Sequence, residues 1–354
     1  MKNLTLFLLL FVALESRAEI HFLKGPLAGA VEKATAESKP VMIDFITDWC
    51  RWCDTLDKRT YSDEEVAAFV NARVVPIKID AEKGEGIAIA KKYGVTGYPT
   101  ILLMHPDGEE IDRLLGYKPP DEFLTDLSNY VEGKNTMAAI LAELKKKPDN
   151  TTMQYALARK YTDRNDWSGV QTAYTKVLEL DPSNALGHRE EAEYYVAVAK
   201  LRSDKDAGPL TTFVSTYPSS DMVRGAVSSL IRFHVKAKDA DATRKVFETY
   251  IASHADDRSM MNNYAWSCAE NLMNLEHAAT VAARAVTLAT DNGEKASYID
   301  TQATAVFGLG KIEDAIRLEE QALTLMKDAP PKDRKTYEDT LAKFKAARTP
   351  ASGG

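Results

Sequence analysis

The sequence predicts an α/β fold over its first third and an all-α solenoid over the rest. Three observations carry this. Strand-like and helix-like runs alternate up to about residue 132, and from 136 onward the strands stop. The helical region is built from units of 34 residues. Within the α/β part, a C-x-x-C pair, Cys50 and Cys53, follows directly on an apolar run in "VMIDFITDWCRWCDTL".

The elements follow in order. "HFLKGPLAGAVEKATAESKP" holds an amphipathic helix with Leu27, Val31 and Ala34 at helical spacing. "VMIDFI" (41–46) is a short apolar strand carrying one acid, Asp44, as expected for the buried centre of a sheet. A helix begins at or just after Cys50. "DEEVAAFVNAR" is a helix with an acidic first turn. "VVPIKID" is a strand, and "GIAIAKKYGV" a short helix ending at Gly94. "PTILLMHPDGEEIDRLLG" reads as two strands about a His-Pro-Asp-Gly turn. "PPDEFLTDLSNYV" closes the region as a helix with Asp121 as its expected N-cap. The order α-β-α-β-α-β-β-α implies a mixed sheet with helices on both faces.

The change of class at "EGKNT" (132–136) marks a domain boundary, which places the α/β domain at 20–132 and helical repeats at 136–348. "TTMQYALARKYTDRNDWSGVQTAYTKVLELDPSN" (151–184) reads as helix, turn, helix and Asp-Pro stop. Leu157, Ala158 and Tyr161 mark its first helix, Val170, Tyr174 and Val177 its second, and Pro182 ends it. The stretch resembles the tetratricopeptide repeat. Comparable units begin at 260, with Trp266, Ala279, Ala283 and Val286, and at 296, with Ala303 and Ala322. The intervening 187–254 is helical with degraded signature positions, and 136–150 is a leading half-unit. Roughly four repeats plus caps are expected, enough for a continuous core. Residues 349–354 read as a disordered tail.

Bulk properties narrow the function. A length of 354 residues allows two or three domains. A net charge of -7 and the lack of a long basic run argue against nucleic-acid or anionic-membrane partners. Lys2, the apolar run 4–14 and Ser16-Arg17-Ala18 form a secretory signal (1–18) cleaved after Ala18, so a secreted or periplasmic location is expected, with no membrane contact after cleavage. Export matters for the cysteines. A framework of structural disulfides needs many of them, and this chain has three, the third being the distant Cys268. Cys268 lies in a helix with an apolar stripe and reads as a buried, inert thiol.

A thiol at a helix N-terminus meets unpaired N–H groups and the positive end of the dipole, which lower its pKa. Cys50 is therefore the expected attacking thiol, and Cys53, one turn on and shielded, the resolving one. Arg51 adds positive charge beside Cys50, while Trp49 and Trp52 offer an apolar contact surface. The Arg51-Trp52 pair leaves the direction of electron flow open.

Over residues 20–132 the sequence resembles the thioredoxin superfamily, and its "DWCxxCD" and "GYPT" segments look closest to the periplasmic thiol-disulfide relay branch. The likeness is carried by "DFITDWCRWC", by "YGVTGYPT" (93–100) and by "DGEEIDRLLG" with Gly116 at the closing glycine. It implies that Asp44 is the buried acid that takes a proton from Cys53. It implies that Pro99 is a cis-proline, with Tyr98 and Gly97 beside it presenting backbone to a substrate strand. Where the family commonly places a lysine facing the acid, register points to Pro76, with Lys78 two residues on as a substitute. No cofactor beyond the redox-active Cys50–Cys53 disulfide is implied.

The expected function is thus an exported thiol-disulfide oxidoreductase acting on protein thiols and disulfides, whose solenoid docks a protein partner. Two other readings stand beside it. One is a tetratricopeptide scaffold whose thioredoxin fold is a platform. The other is a copper-handling chaperone, for which His105 and His21 are the only further ligand candidates in the domain.

Overall fold

The computed structural model describes residues 19–348; the signal segment 1–18 and the tail 349–354 lie outside the described residues. The chain divides into two compact units between Ser183 and Asn184. The break in compactness therefore falls well beyond 132–136, where the secondary-structure class changes.

The first unit opens with α1 (Leu27–Glu37), β1 (Val41–Ile46), α2 (Arg51–Arg59), α3 (Glu64–Arg73), β2 (Val75–Asp80), α4 (Gly86–Lys92), β3 (Thr100–Met104), β4 (Glu110–Leu115) and α5 (Pro120–Val131). The four strands lie in the order β2-β1-β3-β4, with β1 parallel to β2 and antiparallel to β3. Strand β1 is central and buried on both faces, which its near-continuous apolar run requires. Period-two alternation sorts its side chains. Val41, Ile43 and Phe45 join Ala30, Ala34 and Ile77 in one core. Met42 faces the other, with Leu56, Val70, Leu103 and Phe123.

Between β1 and β2 the chain makes the two helices read there, α2 with Thr60 as its C-cap and α3 capped by Asp63, which accepts from the N–H groups of Glu65 and Val66. One local expectation needs correction. At α5 the N-cap is Pro119, with Pro120 in the first turn. Asp121 is therefore already helical, where it opposes the dipole instead of capping.

Three helices complete the unit: α6 (Met137–Lys146), α7 (Thr151–Asp163) and α8 (Trp167–Leu180). Thr136, Asn150 and Asp166 cap them through side-chain oxygens. Helices α7 and α8 approach closely at Gly169, where a Cβ would stand 2.3 Å from the Tyr161 ring. Both α6 and α7 also pack on β4, covering an edge strand that would otherwise offer unpaired backbone.

A buried polar joint holds them there. Asp112 of β4, fully buried, accepts from the N–H groups of Arg113 and Met137, both at 2.8 Å. It also pairs with Lys160 Nζ at 2.8 Å and Arg164 Nη2 at 2.9 Å. Glu110 bridges Arg113 and Arg164, and Lys160 donates to the Tyr130 hydroxyl. Burial pushes the Lys160 pKa down, against the pull of Asp112. Such a cluster is stable because every charge in it is answered by a partner.

The second unit is all-α: α9 (Arg189–Ser203), α10 (Gly208–Thr216), α11 (Val223–Lys236), α12 (Ala240–Ile251), α13 (Arg258–Glu270), α14 (Leu275–Leu288), α15 (Asn292–Gly308), α16 (Ile312–Leu325) and α17 (Pro331–Arg348). From α13 to α17 each helix packs on the next, and α11 also meets α13, as α13 meets α15. This neighbour-on-neighbour stacking is the pattern of a helical solenoid. The described residues thus form an α/β thioredoxin-like fold followed by an all-α helical array. The repeat positions expected in α14 are displaced by one residue. Ala278, Ala282 and Ala285 are buried, whereas Ala279, Ala283 and Val286 are only partly so, and Trp266 of α13 is exposed. Adjacent alanines satisfy the same helical spacing, so only packing separates them. Cys268 is fully buried and its pKa is pushed up by burial.

Candidate active site

Strand β1 ends at Ile46, and the chain turns through Thr47–Cys50 into α2. Cys50 is the N-cap, with extended backbone, and its Sγ accepts the Cys53 N–H at 3.0 Å. The two sulfurs form a disulfide of 2.07 Å. Cys53 is shielded, as expected, but exposure does not separate the two, since each residue is 6% accessible. What separates them is position. The Cys50 sulfur takes a backbone N–H at the positive end of α2, which favours a thiolate there.

Asp44 lies on the same sheet face as Met42, beneath α2, and is 1% exposed. Burial pushes its pKa up to about 7, opposed by the Lys78 charge and reinforced by Asp57. Asp44 Oδ1 and the buried Tyr61 hydroxyl both lack a direct hydrogen-bond partner. Tyr61 therefore acts on the acid as a nearby dipole, and its own pKa is raised by burial and by Asp44. The parallel register sets Lys78, not Pro76, across from Asp44. Pro76 pairs with Met42, one pleat earlier, a register that only strand pairing could establish. The Lys78 ammonium bonds to Asp57 and lies 4.8 Å from the Phe22 ring centre and 5.4 Å from that of Tyr61.

The second loop brings in Pro99. The Tyr98–Pro99 bond is cis, and the Pro99 carbonyl accepts the Gly116 N–H at 2.8 Å. The Thr100 hydroxyl donates to the Gly97 carbonyl, closing the loop on itself. A Cβ on Gly97 would sit 3.4 Å from Leu115 Cδ1. The Tyr98 ring meets the edge of Trp49 at 5.9 Å, which joins the cysteine loop to the proline loop. Trp52 stacks on Tyr117 at 5.9 Å, joining α2 to the end of the hairpin. Both tryptophans remain well exposed, at 66% and 60%. Arg51 is exposed on the first turn of α2.

Sequence reasoning missed Asp57, Tyr61, Tyr117 and Glu82. Asp57 and Tyr61 stand four and eight residues after Cys53, a helical spacing that could have flagged them. Tyr117 and Glu82 come from elsewhere in the fold, Glu82 by accepting the Trp49 indole N–H at 3.0 Å. Beside it Lys83 bonds to Asp48 at 2.6 Å and Asp80 at 2.8 Å, tying the cysteine loop to the loop after β2.

The arrangement combines a dithiol at a helix N-terminus, a buried acid that titrates near neutrality, and an exposed aromatic rim. The thioredoxin-like domain family model matches residues 27–130. Residues 27–130 are a thioredoxin-like domain. The thiol:disulfide interchange protein DsbD of Yersinia pestis is 36% identical over 99 residues, which is 27% of this chain and 17% of that protein. The chain therefore spans about a sixth of the length of such curated relatives. The solution structure of a putative disulphide-isomerase from Bacteroides thetaiotaomicron is 37% identical, covering 32% of this chain and 95% of that one, with a TM-score of 0.31. The oxidised C-terminal domain of DsbD from Neisseria meningitidis is 32% identical, covering 29% and 92%, with a TM-score of 0.27. The domain is of the disulfide-oxidoreductase type, with Cys50 and Cys53 as its C-x-x-C pair. Among the described residues no group of three or more His, Cys, Asp and Glu side chains converges to hold a metal ion.

Proposed function

We propose that the protein is an exported thiol-disulfide oxidoreductase that acts on protein disulfides through Cys50 and Cys53, while its helical array docks a protein partner. The observation that carries this reading is the Cys50 sulfur at the α2 N-cap, taking the Cys53 N–H, with Asp44 buried on the central strand that leads into the cysteine loop. In the reducing direction the Cys50 thiolate attacks one sulfur of a substrate disulfide. That bond breaks, one substrate sulfur leaves as a thiolate, and a mixed disulfide with Cys50 forms. Asp44 takes the Cys53 proton, and the Cys53 thiolate attacks Cys50 Sγ. The second substrate thiol leaves, and the protein ends as the Cys50–Cys53 disulfide, oxidised by two electrons. An external dithiol must reduce it for the next turnover; the reverse sequence oxidises a substrate dithiol.

Pro99, with Gly97 and Tyr98 before it, is assigned to aligning the substrate backbone. Trp49 and Trp52 form the apolar contact surface, and Arg51 favours the Cys50 thiolate. The signal-like N-terminus supports a secreted or periplasmic location. Insulin reduction by wild type and Cys50→Ser tests the reaction. Activity lost in the variant is expected; equal, negligible turnover in both would leave only the scaffold reading. Cys53→Ala should accumulate a mixed disulfide with the physiological partner in the native compartment.

A further inference from the structure

We propose that Tyr117 is a positioning residue for the exchange reaction: by stacking on Trp52 it fixes the indole between the cysteines as an apolar platform, which selects substrates with an aromatic or large aliphatic side chain beside the reacting cysteine. This rests on the disulfide-exchange reading above and deepens it. Trp52 is not part of the face that holds α2 in place. That face is Cys53 and Leu56, both buried, whereas Trp52 is 60% exposed. A large apolar ring is thus left at the surface beside the dithiol. The ring is nevertheless supported. It lies 5.9 Å from the Tyr117 ring with 26° between the planes, a stacked arrangement.

Tyr117 is itself anchored on both sides. The Gly116 N–H donates to the Pro99 carbonyl at 2.8 Å. The Lys118 carbonyl accepts the hydroxyl of the fully buried Thr60 at 2.5 Å. Between these ties the Tyr117 side chain packs against the core that holds Phe123 and Leu127. A ring so fixed is a rigid support. Trp52 is therefore held ready, and little side-chain entropy is lost when a substrate covers it.

The surroundings select the occupant. Arg51 and Asp54 stand on either side of Trp52 in the first turn of α2, both exposed. Lys118, next to Tyr117, is shared between Glu122 at 3.7 Å and Asp126 at 4.0 Å. Charges balanced in this way favour neither an acidic nor a basic neighbour. The exposed ring face is what remains to be recognised, and it gains most by covering apolar surface. Continuity with the dithiol fixes which part of the substrate reaches it. Trp52 lies between two cysteines whose Cα atoms are 5.3 Å apart. At about 3.3 Å per extended residue, its ring stands alongside the immediate neighbours of the substrate cysteine. Trp49 supplies a second supported indole on the other side of Cys50, edge-on to Tyr98 and donating to Glu82.

The test follows single-turnover oxidation of the reduced full chain by two disulfide-linked peptide dimers, identical except for Phe or Ser on both sides of the cysteine. The wild type should half-saturate at about tenfold lower concentration with the Phe peptide, with a similar limiting rate. Tyr117→Ala should shrink that ratio and Tyr117→Phe, which keeps the ring, should restore it. If the alanine variant does not fold, Tyr117→Leu, which keeps apolar bulk without the ring, takes its place. Trp52→Ala, at an exposed position, should bring the two peptides together, and adding Tyr117→Ala to it should change nothing further. Equal half-saturation in the wild type overturns the proposal, as does a Tyr117→Ala or Tyr117→Leu protein that keeps the full ratio. A further drop on adding Tyr117→Ala to Trp52→Ala also overturns it, because Tyr117 would then meet the substrate directly. A wild type that is oxidised by neither peptide would remove the exchange reading itself, and the platform with it.

Discussion

Asp44→Asn keeps the shape of the side chain beneath the dithiol and removes its charge. In the folded domain the pKa of Asp44 rises from 3.8 to about 7, chiefly through burial. At about 1.4 kcal/mol per unit, holding the ionised carboxylate in place costs the domain roughly 4 kcal/mol above pH 7. The sign follows from proton counting. Between 3.8 and 7 the folded state keeps a proton that the unfolded chain has released, so stability falls as pH rises through this window and then levels off. The variant should therefore be more stable than wild type by up to about 4 kcal/mol at pH 8, and nearly equal to it at pH 3.5. Hydrogen exchange of β1 and β3 amides in the oxidised full chain reads the opening free energy of the sheet without assuming that both units unfold together. The same variant should resolve mixed disulfides more slowly, with insulin reduction down by about 100-fold or more, because Cys53 loses its proton acceptor. Equal stability at pH 8, or a wild-type sheet with no slope between pH 4 and 7, would refute the argument by showing that water solvates Asp44.

Three other perturbations follow from the packing. Lys160→Met leaves Asp112 buried with less compensation and should destabilise the first unit by about 3 kcal/mol in denaturant titration, whereas the double variant Asp112→Leu, Lys160→Met should recover part of the loss. Gly169→Ala drives a methyl into the Tyr161 ring and should cost about 1–3 kcal/mol, seen as faster exchange in α7 and α8. Glu319, fully buried between α15 and α16, has its pKa pushed up to about 9 by burial and by Asp300. Its folded state holds a proton from pH 4.5 to about 9, so α16 should loosen as pH rises across that interval, and Glu319→Gln should flatten the slope in amide exchange.

Much of the site was legible because its signals are local. Cys50 and Cys53 sit three apart at a strand-to-helix junction, and "GYPT" announces the proline loop. Residues such as Tyr117 and Glu82 were not legible, because they reach the tryptophans from the hairpin end and from the loop after β2. The placement of Pro76 opposite Asp44 failed for a related reason: nothing in a single strand states its register against its neighbour. In the repeats, helical spacing was correct in period, and Val170, Tyr174, Val177, Ala303 and Ala322 are buried as expected, but in α14 the phase was off by one, since Ala278 and Ala279 fit one pattern equally well until α15 packs against them.

By itself the sequence determined the two classes of structure and the chemistry available at Cys50 and Cys53. These depend on side-chain type and on spacings of a few residues. The tertiary structure alone decided that Asp44 is sealed from water and titrates near neutrality, since that depends on β1 lying at the centre of the sheet beneath α2. It alone decided that α6 and α7 belong with the sheet, because Asp112, Lys160 and Arg164 are some fifty residues apart in the chain and meet only when β4 needs its edge covered. Burial and charge pairing are properties of what surrounds a residue, and distant segments supply those surroundings.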